Sequence, residues 1–385
     1  MSYDIKKYFP YAQIREQQSL AILYALQNFL KNDKRFVIIE AGTGVGKSAI
    51  GLTVSKYIHD NYHYNGDYGN GTWYLTTQKI LQDQYIKDFG QSEKMRSVKS
   101  AKNHACTSSG TNCKEGQMML RNSDKKDNQW RKCIFECPYK KEKQEFLESW
   151  DSVANFSYFL TETNSSGKIK PRKLLVIDEA HNTESVLSNF VEMGISQYFA
   201  EKIIKVKWPA KVTPVNFVKW VLTEYYPKLQ SQILHMQEKI EQLGIGGKIK
   251  ELKTIAMRYD MMTGHASKLE VFLQEYDPDN WIMEQQETES KGYVRVVYRA
   301  VDVSKFAKDY LFKMGRKVIF LSATILNGKA FAESLGLKEE EYGSISIPSP
   351  FPIENRPVIT QGIGSMSANS LEKSLPNLKK AIKQY

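Results

Sequence analysis

Cysteine is almost absent from this 385-residue sequence: 353 residues contain none, and the four present fall between Cys106 and Cys137. That scarcity excludes a disulfide-stapled scaffold, which needs cysteines spread through a small oxidised domain. Long apolar runs are missing too. None approaches the roughly 18 residues that a bilayer-crossing helix requires. The N-terminus, MSYDIKKYFPYAQ, lacks the apolar core of a secretory signal. A cytoplasmic protein with no membrane partner is the expectation. There is no internal repeat and no low-complexity tract, so repeat architectures and compositional disorder are set aside.

What is present is ordinary for a folded chain, with 41% hydrophobic and 25% charged residues. The length suits two or three domains. The charge is less ordinary: 54 Lys and Arg against 43 Asp and Glu leave a formal +11. Such an excess suits phosphate contacts as readily as a solvated surface. Its placement decides between them. Lys94–Lys143 carries 13 basic and five acidic residues, a net +8, and the other 335 residues share only +3. Trp130, Phe135 and Tyr139 are interleaved there, the mixture of cations and rings that grips single strands without reading sequence. Lys102, Arg131 and Lys132 are the phosphate contacts expected in this segment.

Four short apolar runs read as buried strands: Arg35–Glu40, Thr72–Thr76, Lys173–Asp178 and Lys317–Ser322. Continuous apolar strands separated by helical stretches predict an α/β fold with a parallel sheet covered on both faces. Roughly 97 residues separate the second and third strands, and about 140 the third and fourth, far more than a crossover helix needs. Both gaps are expected to hold inserted subdomains. The first contains the cysteines. The second reads as helical, because Leu229, Ile233, Met236, Ile240 and Leu243 step along one face. After a break at Gly244, Gly246 and Gly247, the residues Leu252, Ile255, Tyr259 and Met262 repeat the stripe, which predicts a helical hairpin. That stripe is a core face and is assigned no function.

The first strand leads into Ala41-Gly42-Thr43-Gly44-Val45-Gly46-Lys47-Ser48, a P-loop with alanine in its first position. Its glycines let backbone N–H groups close around phosphate oxygens, and the helix that follows aims its positive end at them. Lys47 is expected to reach the β- and γ-phosphates of ATP, and the Ser48 hydroxyl to ligate Mg2+. The third strand ends in Asp178-Glu179-Ala180-His181. A carboxylate there suits Asp178 to hold Mg2+ through water, and Glu179 to polarise the water that attacks the γ-phosphate.

The cysteines are spaced C-x6-C-x19-C-x3-C, with Pro138 and Tyr139 directly after the last. Four thiolates can hold a [4Fe–4S] cluster or Zn2+. Spacing does not separate the two, since neither pair has the C-x2-C of a zinc ribbon. His104 is an alternative ligand, although four cysteines complete a set.

Asp-Glu-Ala-His together with an alanine-first P-loop resembles the superfamily 2 helicases, and further segments resemble the iron–sulfur helicases of the XPD/DinG-like family. Phe9-Pro10-Tyr11 followed by Ile14, Arg15 and Gln18 is similar to that family's segment before the P-loop, which places Gln18 in the nucleotide site. Tyr74-Leu75-Thr76-Thr77-Gln78 with Leu81, Gln82 and Gln84 resembles motif Ia, which assigns DNA backbone contacts to Thr76, Thr77 and Gln78. Ser322-Ala323-Thr324 matches motif III, which couples nucleotide state to DNA. Ser349-Pro350-Phe351-Pro352 with Asn355-Arg356 resembles the junction to a second motor domain.

The resemblance implies a RecA-like motor domain in three pieces, 1–93, 151–184 and 301–356. An iron–sulfur domain over 94–150 and a helical arch over 185–300 interrupt it, and 357–385 begins a second motor domain or tail. It favours the iron–sulfur cluster on Cys106, Cys113, Cys133 and Cys137 over zinc, as a structural brace beside the DNA path. It adds His181 to the catalytic set of Lys47, Asp178 and Glu179, and implies five-prime to three-prime movement on single-stranded DNA. The arginine-bearing Gln-x-x-Gly-Arg-x-x-Arg motif of the second motor domain is not found in Pro357–Tyr385. The sequence reading is thus of an N-terminal portion whose second half is supplied by a separate polypeptide or lost by truncation, with slow ATP turnover alone. An ATP-gated single-strand binder or regulatory subunit is the alternative.

Overall fold

The computed structural model describes residues 3–64, 66–107, 112–113, 116, 128–165, 167–246, 249–287, 292–352, 354, 360 and 362–384. It divides into two units, Met1–Pro348 and Ser349–Tyr385.

The larger unit is built on a seven-stranded parallel sheet. Its strands are β1 (Phe36–Ala41), β2 (Gly69–Thr76), β3 (Arg96–Ser97), β4 (Asp151–Asn155), β5 (Arg172–Asp178), β9 (Gly315–Ser322) and β10 (Tyr342–Ile347). Their spatial order is β10-β1-β9-β5-β2-β4-β3, with Phe36 opposite Val318 on one side and Tyr342 on the other. The apolar runs are continuous because both faces are covered. Phe36, Ile38, Trp73, Leu75, Leu175, Ile177, Val318 and Phe320 pack into one core layer. Their alternating neighbours Val37, Ile39, Tyr74, Leu174, Val176, Ile319 and Leu321 pack into the other. Helices α1 (Glu16–Leu26), α2 (Lys47–Asn61) and α3 (Lys79–Phe89) contribute Ala21, Ile22, Leu52, Ile58, Tyr85 and Phe89 to that second layer.

The cysteine-bearing segment leaves after β3 and returns through the helix Pro138–Glu148 into β4, which pairs β2 directly. Arg172 pins this return. Its guanidinium lies 3.4 Å from the Trp73 ring centroid and donates to Leu147 O at 2.9 Å and to Thr72 O, Trp150 O and Ser152 Oγ at 3.1 Å each. Burial pushes it down to about 9, against the pull of Asp151. Asp151 accepts from Ser55 at 2.9 Å and Tyr74 at 3.3 Å, yet burial still raises its carboxyl to about 6.

The second insertion holds the expected helices, Tyr226–Gly246 and Ile249–Glu275. Leu229, Ile233, Ile240 and Met262 are buried, with Met236 and Tyr259 packed against them. Two features differ from expectation. The first helix runs through Gly244 and Gly246, because a glycine costs a helix only about 1 kcal/mol; Gly247, like the side chains of Leu243 and Leu252, falls outside the described residues. A three-stranded antiparallel sheet, β6 (Met193–Ser196), β8 (Val294–Ala300) and β7 (Trp281–Glu287), also belongs to this region. Its strands carry charged and polar residues, Glu284 to Glu287 in β7 and Arg295 and Arg299 in β8, which leave no apolar run longer than three residues.

In the smaller unit, Ser374 of the helix Leu371–Gln384 donates to Ser365 O at 2.7 Å. Asn355 and Arg356 of the junction motif lie outside the described residues. Among the described residues no helix is long and apolar enough to cross a membrane.

Candidate nucleotide and nucleic-acid site

The P-loop bridges β1 and α2 at the C-terminal edge of the sheet. Gly44 and Gly46 adopt φ of 87° and 89°, a region that L side chains enter only at a cost. Helix α1 braces the loop from outside. Gln18 Nε2 donates to Val45 O at 2.9 Å, Gln18 Oε1 accepts from Arg15 N at 2.9 Å, and Arg15 Nη1 donates to Gly44 O at 2.7 Å. Gln18 is thus buried against the loop, and its amide shapes the loop backbone.

Strand β5 delivers Asp178 and Glu179 to the same place. Lys47 Nζ stands 3.8 Å from Glu179 Oε1. Glu179 itself takes a left-handed φ of 51°, one of the sparsely populated conformations found where a side chain must be aimed. Asp178 is 6% exposed; burial raises its carboxyl, Lys47 lowers it and Glu179 raises it again. Its Oδ1 accepts from Glu179 N at 3.0 Å and its Oδ2 from the Tyr85 hydroxyl at 3.1 Å. His181 turns to β9, with Nδ1 2.8 Å from Ser322 Oγ, which also accepts from Thr324 N at 3.2 Å. Leu326 N donates to Glu40 Oε1 at 2.8 Å, so the Ser322–Thr324 loop is tied to β1 as well as to β5. A buried carboxylate beside a lysine, a strand-end glutamate and a glycine loop is a fit environment for a magnesium-bound triphosphate.

Of the residues expected to meet nucleic acid, Gln78, Lys102, Arg131 and Lys132 are exposed and Thr77 is half-buried. Thr76 is a correction. Its side chain is fully buried and donates to Gln78 O at 3.2 Å, so it shapes the turn and presents no surface. Tyr139 is a second correction: it is buried against His104 at 5.2 Å, under Lys143, while Phe135 is 82% exposed. The Trp130 side chain lies outside the described residues.

The four cysteines are all buried and none forms a disulfide. Cys113 and Cys137 bring their sulfurs to 3.7 Å. Burial raises the Cys133 thiol, Lys140 opposes, and the Cys137 and Cys106 thiols push further up. Among the described residues no group of three or more His, Cys, Asp or Glu is assembled as a metal site. His104 has both ring nitrogens engaged, with Glu142 Oε2 at 2.9 Å and Ser100 O at 3.2 Å.

Tyr85 and Arg172 went unread in the sequence, since a lone aromatic on an amphipathic helix and a strand-edge arginine carry no motif. The parallel sheet and its loop define a RecA-like P-loop domain. Residues 11–206, just over half of the chain, match the model of the type III restriction enzyme res subunit family, and the chain belongs to that family. Its fold is similar to a structure titled "XPD_Helicase", with a TM-score of 0.52 at 15% identity over 88% of this chain and 63% of that one. A structure titled "Truncated XPD" aligns with a TM-score of 0.48 at 14% identity, over 87% of this chain and 99% of that one. No curated protein matches. The chain thus shares the fold of the first of these structures and spans less than two thirds of its length.

Proposed function

We propose that the chain is the first motor half of an ATP-dependent DNA helicase of the iron–sulfur type. The observation that carries this is the convergence of Lys47, Asp178 and Glu179 on a braced P-loop. Lys47 and the loop amides bind the phosphates. Ser48 and Asp178 would hold Mg2+, which supplies positive charge to the β- and γ-phosphates when bound. Glu179 orients the attacking water and takes its proton at a carboxylate oxygen. His181, bonded to Ser322, relays the state of the site to the loop leading away from β9. Single-stranded DNA is the partner this reading assigns, held by Thr77, Gln78, Lys102, Arg131 and Lys132 with Phe135 as a stacking ring. Movement five-prime to three-prime follows from the family resemblance, as do the domain divisions and a second motor domain bringing arginines to the γ-phosphate.

The four buried thiols of Cys106, Cys113, Cys133 and Cys137 fit a [4Fe–4S] cluster in donor type and number. When bound, it would tie the segment together and add folding energy. Zinc is the second reading, favoured by the 3.7 Å between Cys113 and Cys137: ligands about 2.3 Å from a tetrahedral zinc sit about 3.8 Å apart. Iron and zinc analysis of anaerobically purified protein separates the two.

The nucleotide reading is tested with Lys47→Ala and Glu179→Gln. The first should weaken ATP binding at least tenfold, and the second should leave binding intact while abolishing turnover. Unchanged ATP affinity in the lysine variant refutes the assignment.

A further inference from the structure

Helix α3 places one side chain against the magnesium ligands. Tyr85 is 2% exposed, and its hydroxyl donates to Asp178 Oδ2 at 3.1 Å. The other carboxylate oxygen is held by Glu179 N at 3.0 Å, so the phenol fixes what rotation of Asp178 remains. The ring is itself locked between Tyr74 of β2 at 5.7 Å and Phe89 at 6.0 Å. A buried hydroxyl is retained against its desolvation only where it finds partners. Here that partner is Asp178, a side chain on which Mg2+ is expected.

We infer that Tyr85 is a positioning residue, which holds Asp178 in the orientation that takes up Mg2+ and ties it to α3. The inference rests on the nucleotide reading above. A phenol donating to one carboxylate oxygen leaves the remaining lone pairs of Asp178 for the metal and its waters. It also makes the carboxylate follow α3. That helix starts directly after Gln78 and is anchored by Gln82 Nε2, which donates to Val98 O at 2.9 Å. Asp178 is therefore linked through Tyr85 to the helix that begins at the exposed Gln78–Ile80 segment.

The test is Tyr85→Phe, which keeps the ring and removes the hydroxyl. Mn2+ bound with ADP is followed by electron paramagnetic resonance, and fluorescent ADP binding is measured in EDTA. The variant should bind Mn2+ about tenfold more weakly, while its metal-free ADP affinity stays within twofold of the unaltered protein. Phe89→Leu is the control for packing: it loosens the same helix without touching Asp178. It should lower the melting temperature and leave Mn2+ affinity unchanged. Equal Mn2+ affinity in Tyr85→Phe and the unaltered protein overturns the inference alone, as does an equal loss in Phe89→Leu. Absence of any metal-dependent nucleotide binding in the unaltered protein overturns the nucleotide reading with it.

Discussion

Gly46→Ala measures how tightly α1 holds the P-loop. Gly46 sits at φ 89°, ψ 52°, where a side chain costs about 1–2 kcal/mol. The added methyl would also meet Gln18 Nε2 at 2.7 Å, so the amide must withdraw and its bond to Val45 O is lost. A buried carbonyl left unpaired costs about 1–3 kcal/mol. The single variant should therefore lose roughly 2–5 kcal/mol, the sum of strain and lost bond. In a Gln18→Ala background the amide is already gone, and Gly46→Ala should cost only the backbone strain. The two substitutions are thus expected to couple by about 1–3 kcal/mol, well beyond the additivity of separated sites. Urea denaturation of the four proteins gives the cycle, and ATP titration reports whether the loop keeps its shape. If alanine at position 46 costs the same with and without Gln18, the steric reasoning is refuted.

Three further outcomes are expected. Burial raises Asp151 from its ordinary 3.8 to about 6, so the folded state holds a proton that the unfolded state releases. Its contribution is fully present below pH 3.8 and lost as pH rises through 6, an effect of about 3 kcal/mol. Asp151→Asn should therefore gain on the unaltered protein by that amount between pH 4 and pH 7, and a pH-independent difference in urea midpoints contradicts this. Arg172→Lys removes a stacked, four-partner guanidinium that a point charge cannot replace. It should destabilise by about 2–4 kcal/mol, and a loss below about 0.5 kcal/mol in the same assay would dismiss the pinning role. If the proposed thiol site binds iron or zinc, Cys133→Ser should empty it and expose residues 98–137 to proteolysis while ATP affinity stays within about twofold, since ligation would stabilise that segment and not the sheet. Full metal content in the variant would remove Cys133 from the ligand set.

The parts of the fold legible in sequence are those where one strong requirement fixes residue type. Central strands β1, β2, β5 and β9 are buried on both faces, and each shows as an apolar run. The P-loop shows because Gly44 and Gly46 must take positive φ. Strand β10 was missed because an edge strand has one partner, and its Tyr342–Ile347 segment alternates between polar and apolar. Strand β4 begins with Asp151 and Ser152, whose polarity serves the Arg172–Asp151 network and hides the strand. The sheet of β6, β7 and β8 was missed because charged residues break its strands into short apolar stretches, and Ile282 is 55% exposed. In the site, Lys47, Asp178 and Glu179 carry motif spacing, whereas Tyr85 acts through a neighbour at a sequence distance that no local pattern records.

The position of β1 has a consequence for how this chain is made. Both neighbours of β1 are strands from the far end of the larger unit, and Gly42 N donates to Ile347 O at 3.2 Å. A ribosome that has just released β1 must add about 300 more residues before either neighbour exists, which takes roughly 15–60 s at ordinary elongation rates. For that interval the nascent P-loop stands on a strand with both edges open, long-range pairing of the kind that folds slowly and invites aggregation.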